Sequence, residues 1–168
     1  MPRLALIAGL ALVASFAGSA QTGGPPQGDW QSFSGTLTAT GRRDTLPQED
    51  GGVAATMRLT GSLVITAGAG LRRGFRVEAI GFEESQGNGI GRAVWTDDEG
   101  DRIYSRMVGS PVEAGRRSAA TITGGTGRYA GVAGSYTFTW QYVLPGEQGV
   151  VQARAVSLSG RYRRESPR

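Results

Sequence analysis

The stretch ITGGTGRYAGVAGSYTF, residues 122–138, sets Gly124, Gly125, Gly127, Gly131 and Gly134 in front of alternating aromatic and hydroxyl residues. Glycines gathered this closely serve either a phosphate-cradling loop or a turn between strands. A P-loop closes with Gly-Lys-Ser/Thr, but here Arg128 and Tyr129 follow Gly127. Gly125, Gly127 and Ala130 do satisfy G-x-G-x-x-A, a spacing that binds pyrophosphate only where a helix begins. The residues that follow are β-branched and aromatic in period two, the pattern of a strand. The glycines therefore serve a turn, and nucleotide binding is not expected.

Working outward, the same period recurs. In SFSGTLTATG (32–41), Phe33, Gly35, Leu37 and Ala39 share one side, with Ser32, Ser34, Thr36, Thr38 and Thr40 on the other. In VAATMRLTGSLVIT, the residues Val53, Ala55, Met57, Leu59, Leu63 and Ile65 share a face. FRVEAIGF, IGRAVWT, DRIYSRMVG, RSAATIT, VAGSYTFTWQYV and VVQARAVSLSGRYR read alike, separated by turn text such as EESQGNG and DDEG. That makes eight strands with short connections and no covering helices. An all-β fold follows: a closed antiparallel eight-stranded barrel, or failing that a sandwich. Glycines within strands, such as Gly35, Gly61, Gly81, Gly134 and Gly160, suit the bends of a coiled barrel.

The chain has 168 residues and no Cys, His or Lys; all 18 of its cations are arginines. Missing Cys and His remove disulfides and the usual zinc, copper and haem ligands. They also remove Ser-His and Cys-His nucleophiles, and missing Lys removes Schiff-base chemistry. No metal and no cofactor are expected. Catalysis, if present, would rest on carboxylates, Tyr, Arg, Ser/Thr or backbone amides. The formal charge of +4 is spread along the chain rather than clustered, so no nucleic-acid partner is expected. Arg161, Arg163 and Arg164 read as a solvated terminus.

Residues 1–20 carry Arg3, then the uncharged apolar stretch LALIAGLALVASFAG, then the small residues GSA. This is a secretory signal peptide pattern, too short for a span of about 20 apolar residues. Residues 21–29 form a Gly/Pro linker, 30–164 the barrel domain and 165–168 a tail. The mature protein is expected in the periplasm or secreted, with no membrane insertion after cleavage.

Ile122 to Gly127, Tyr129, Gly131 and Gly134 resemble the signature segment of the allene oxide cyclase and dirigent superfamily of calycin-like eight-stranded barrels. Ala133 stands where dirigent proteins carry Arg, which points to the cyclase-like branch. The resemblance implies this barrel type, homotrimers, and an apolar cavity that folds or orients an unsaturated substrate. Asn88 is the only asparagine and stands in turn text, so the cyclases' polar cavity set has no residue-by-residue counterpart here. Tyr129 would fold back to plug one end of the barrel.

A barrel of eight strands has room for one small ligand. Gln152 and Arg154 share strand parity with Val150, Val156 and Leu158, and Arg92 shares it with Ile90 and Val94. Facing inward, the two arginines would suit a carboxylate or enolate; facing outward, or displaced by a bulge, they would be solvated. Glu78 is the mid-strand carboxylate placed to partner them or to transfer a proton, its alternative being an exposed strand position. Tyr136, Phe138, Trp140 and Tyr142 share one face, as core, cavity wall or carbohydrate platform; Trp140 is the candidate ligand contact. Asp97, Asp98, Glu99 and Asp101 read as a solvated turn, with calcium binding the alternative. Three functions remain open: binding of a small hydrophobic or amphipathic, in some cases anionic, molecule; cyclisation or isomerisation in the same cavity; or a packed interaction barrel without ligand.

Overall fold

The computed structural model describes residues 29–113, 115–144 and 149–164. The expected signal segment 1–20, nearly all of the linker and the tail lie outside these residues. Eight strands follow in order: β1 Gln31–Pro47, β2 Val53–Gly68, β3 Gly74–Glu83, β4 Gly89–Thr96, β5 Arg102–Val112, β6 Gly115–Gly125, β7 Val132–Leu144 and β8 Val150–Arg164. Each pairs antiparallel with its neighbours in sequence, and β8 returns to β1, so the barrel is closed. Closure leaves no unpaired sheet edge. A 3-10 turn, Gly127–Tyr129, joins β6 to β7.

Period two along each strand separates the two faces of the wall. Phe33, Leu37 and Ala39 are buried within the barrel, while Thr36, Thr38 and Thr40 face out. Arg58, Thr60, Arg76, Glu78, Arg92, Arg106, Thr121 and Thr137 are likewise exposed. The outward positions are largely polar, with exposed apolar residues gathered at Ile80, Phe82, Ile90 and Val108 on β3–β5. Among the described residues no helix is long and apolar enough to cross a membrane.

The interior has two unlike halves. Toward the β4–β5 and β6–β7 turns, Phe33, Phe75, Trp95, Tyr129, Tyr136 and Tyr162 pack edge-to-face and tilted. Trp95 and Tyr136 lie 4.8 Å apart, Phe75 and Tyr129 5.7 Å, Phe33 and Tyr162 6.2 Å. Burying each aromatic contributes roughly 1.5–3 kcal/mol, which makes this half the stabilising core. Toward the β1–β2, β3–β4 and β5–β6 turns, many inward positions are small, among them Ala39, Gly41, Ala79, Gly81, Gly89, Gly91, Ala93 and Gly109. Small side chains leave that half hollow.

One irregularity shifts the parity of β8. Gly35 of β1 pairs with Leu158, but Leu37 pairs with Ala155, so two residues of β8 oppose one of β1. The same offset appears against β7. Ser157 sits at φ 54°, the non-glycine positive φ among the described residues. This bulge puts Leu158 inside together with Ala155, Ala153 and Val151.

Candidate functional site

The glycine stretch builds the plugged end. Gly124 and Gly125 end β6, Gly127 opens the 3-10 turn at φ 52°, Gly131 precedes β7 and Gly134 lies within it. A side chain at Gly127 would collide with the Asp101 carboxylate, so both its φ and its surroundings require glycine. The turn drives Tyr129 into the barrel, where it is fully buried and donates its hydroxyl to Asp97 Oδ2 at 3.0 Å. Asp97 Oδ1 accepts the backbone N–H of Glu99 (3.0 Å) and of Asp101 (2.9 Å). Burial, then the bond to Asp97, raises the Tyr129 phenol well above its ordinary pKa. Arg128 reaches Glu99, Asp97 and Asp101, while Arg72 pairs with Asp98 and Glu99. The acidic turn is thus knitted to two arginines, with Asp97 buried rather than solvated. No metal-holding group of acids is found among the described residues.

The hollow half holds a cavity of about 100 Å³ lined by Leu37, Met57, Met107, Phe138, Trp140 and Leu158, with Tyr136 deep inside. This is below the roughly 300–1,000 Å³ typical of drug-sized sites, and it suits a short molecule. Tyr136 shares a 2.8 Å hydrogen bond with Ser105. Burial above all pushes the Tyr136 phenol up to about 12.

Arg116 lies at the cavity's outer end. It starts on β6 and forms an ion pair with Glu83 on β3, across the two strands between them. The intervening inward positions are Gly109 on β5 and Gly89 on β4, which pair with each other. A Cβ at Gly109 would stand 2.7 Å from Arg116 Cδ, and one at Gly89 2.9 Å from its Nη1. The glycines are therefore the bed on which the guanidinium crosses. Arg116 also donates to the Gly87 carbonyl. Arg43 Nε lies 3.6 Å from Glu83 Oε2, on the more solvent-exposed side. Tyr142 donates to Met57 Sδ at 3.4 Å, and burial, then the Glu83 charge, raise its pKa. At this end Arg116 Nε and Trp140 Nε1 are buried without a hydrogen-bond partner among the described residues, and Glu83 Oε2 has only the Arg43 ion pair.

Of the residues singled out in the sequence, Trp140 lines this cavity. The others do not. Arg154 and Gln152 face outward, Arg154 bonding Gln141 on the outer wall at 3.2 Å, because the bulge at Val156–Ser157 reverses the parity that Leu158 implies. Arg92 faces outward because Ala93 and Trp95, on the other side of β4, are the buried pair. Glu78 is exposed and pairs with its outward neighbour Arg76 at 3.0 Å. The expected guanidinium-lined cavity is therefore corrected: Arg116 is the charged residue that lines it, and Glu83, with Arg43 beside it, is its ion-pair partner. Continuing the inward series of each strand, from Gly81 to Glu83, from Ser118 back to Arg116 and from Gly41 to Arg43, is the signal that finds them. The reading of Glu83 as turn text concealed it.

Comparison with family models, with curated proteins and with solved structures found no match.

Proposed function

We propose that this protein is an exported barrel that holds one small hydrophobic or amphipathic molecule in its open half. The observation that carries this reading is the apolar cavity itself, walled by Leu37, Met57, Met107, Phe138, Trp140 and Leu158 in the half of the barrel that Tyr129 does not plug. Trp140 is the proposed contact between the apolar wall and the ligand's polar group. The resemblance to allene oxide cyclase and dirigent barrels supports a ligand-holding role, and the signal-like segment supports a periplasmic or secreted location. Glu83 is already engaged by Arg116 and Arg43, which favours recognition over proton transfer, and so binding over isomerisation.

The resemblance also implies association between copies. Ile80, Phe82, Ile90 and Val108 support it: they are 42–66% exposed and adjoin on the outer wall of β3, β4 and β5. Single exposed apolar residues are ordinary, but a contiguous set marks a contact surface.

Native mass spectrometry on protein purified from its own host tests the reading directly. A co-purified mass adduct that is released on denaturation is the expected result. An unliganded spectrum, together with no thermal shift from any short-chain amphiphile, would sink it.

A further inference from the structure

We propose that the outer wall of β3, β4 and β5 carries a second binding site, one for a single-chain anionic amphiphile such as a fatty acid carboxylate. The site lies on the opposite face of the wall from the cavity and does not depend on it.

Register sets two unlike rows side by side there. In one, Phe82 pairs with Ile90 and Ile90 with Val108, and these side chains are 42%, 66% and 60% exposed. In the next, Ile80 pairs with Arg92 and Arg92 with Arg106. Like charges directly opposite on neighbouring strands repel, and an anion between them reverses that. Neither guanidinium has a hydrogen bond or ion pair among the described residues. Their outward neighbours along and across the strands, Ile80, Ile90, Val94, Tyr104, Val108 and Thr121, include no carboxylate. Glu78, one step further along β3, is taken by Arg76 at 3.0 Å.

Ile80, Phe82, Ile90, Arg92, Arg106 and Val108 together line a groove of about 620 Å³, within the roughly 300–1,000 Å³ of small-molecule sites. An alkyl chain laid along Phe82, Ile90 and Val108 takes apolar surface out of water. A carboxylate at its end accepts charge-assisted hydrogen bonds from Arg92 and Arg106. Other occupants match one row only. A cationic amphiphile is repelled by the arginine pair, and a neutral one gives it no counter-charge. A second copy covers the apolar row, but across a two-fold axis it brings its own Arg92 and Arg106 to the same face. A bilayer offers anions in a plane, whereas the groove has room for one chain.

Calorimetric titration of the mature protein at pH 7 with octanoate, octylammonium and 1-octanol tests the proposal. The methyl resonances of Ile90 and Val108 report the outer groove, and those of Leu37 and Leu158 the cavity. Octanoate should bind about tenfold or more tighter than the other two, because hydrogen bonds to charged groups are the stronger kind, and should shift Ile90 and Val108. In the double variant Arg92→Gln, Arg106→Gln this advantage should be lost, while 1-hexanol, a neutral probe of the cavity, should bind unchanged. Octanoate that fails to bind, shifts only Leu37 and Leu158, or binds no better than octylammonium overturns the proposal and leaves the cavity reading standing. Binding to phosphatidylglycerol vesicles without binding to octanoate overturns it too, and assigns the face to a bilayer. An oligomer that excludes octanoate and that Ile90→Asp dissociates assigns the face to a second copy instead. If 1-hexanol fails to bind while octanoate shifts Ile90 and Val108, the cavity reading falls and this site stands. The wild-type series decides the matter even if the double variant fails to fold.

Discussion

The Tyr129 hydroxyl meets Asp97 Oδ2 at 3.0 Å inside the barrel, joining the glycine stretch to the acidic β4–β5 turn. Both groups are buried, and Asp97 also holds two backbone N–H groups of its own turn. Asp97→Ala strands three donors at once. It should destabilise the fold by about 2–4 kcal/mol, whereas Tyr129→Phe, losing one bond, should cost about 1–2 kcal/mol. Urea denaturation of the two variants checks the order; equal costs would show that Asp97 matters only through Tyr129.

Arg116 crosses from β6 to Glu83 over Gly109 and Gly89. Gly109→Val fills the bed and should displace the guanidinium, costing about 1–3 kcal/mol by overpacking. Ser110→Val, the next residue and outward-facing, should stay within about 0.5 kcal/mol of wild type. Thermal unfolding of both variants makes the comparison, and a harmless Gly109→Val would mean that the crossing is not constrained there.

Tyr136 gives the barrel an alkaline limit. Its pKa is raised from the ordinary phenol value of 10.0 to about 12, mainly by burial, so the folded state keeps a proton that the unfolded chain releases. The contribution is complete below about pH 10 and is lost as pH rises toward 12. By linkage it amounts to about 2–3 kcal/mol. In Tyr136→Phe this part of the alkaline fall should vanish, measured as stability against pH between 9 and 12. An unchanged slope would assign the fall to other groups, Tyr129 among them.

Arg92 and Arg154 stand on the outer wall, so Arg92→Met and Arg154→Met should leave stability within about 0.5 kcal/mol and hexanol affinity unaltered. A tenfold loss of affinity in either variant would require the guanidinium to reach the cavity after all.

Ile90 is 66% exposed beside Phe82 and Val108 on the outer wall. If copies associate through this face, Ile90→Asp should shift sedimentation from oligomer to monomer without unfolding the barrel. An oligomer that survives the substitution places the contact elsewhere.

Strand number and antiparallel order were legible in the sequence, because period two and turn residues are local properties; closure, expected with a sandwich as the alternative, was decided by the pairing of β8 with β1. The face of β1 and β2 that lies inside was legible too, since Phe33, Leu37, Leu63 and Ile65 leave one apolar side. The end of the barrel plugged by Tyr129 followed from a glycine run that no helix continues. Which face of β4 lies inside was not decidable locally, because Ile90 and Val94 on one side rival Ala93 and Trp95 on the other. Burial of the larger Trp95 against Phe33, Phe75 and Tyr136 settled it, and those partners come from other strands. In β8 the parity of Arg154 depended on one residue of bulge at Ser157, set by pairing to β1 and β7 rather than by the strand's own text. The ion pair of Arg116 with Glu83 is tertiary in the same sense. It joins residues 33 positions apart, and only closure of β3 to β6 into one curved wall brings them over the same two glycines.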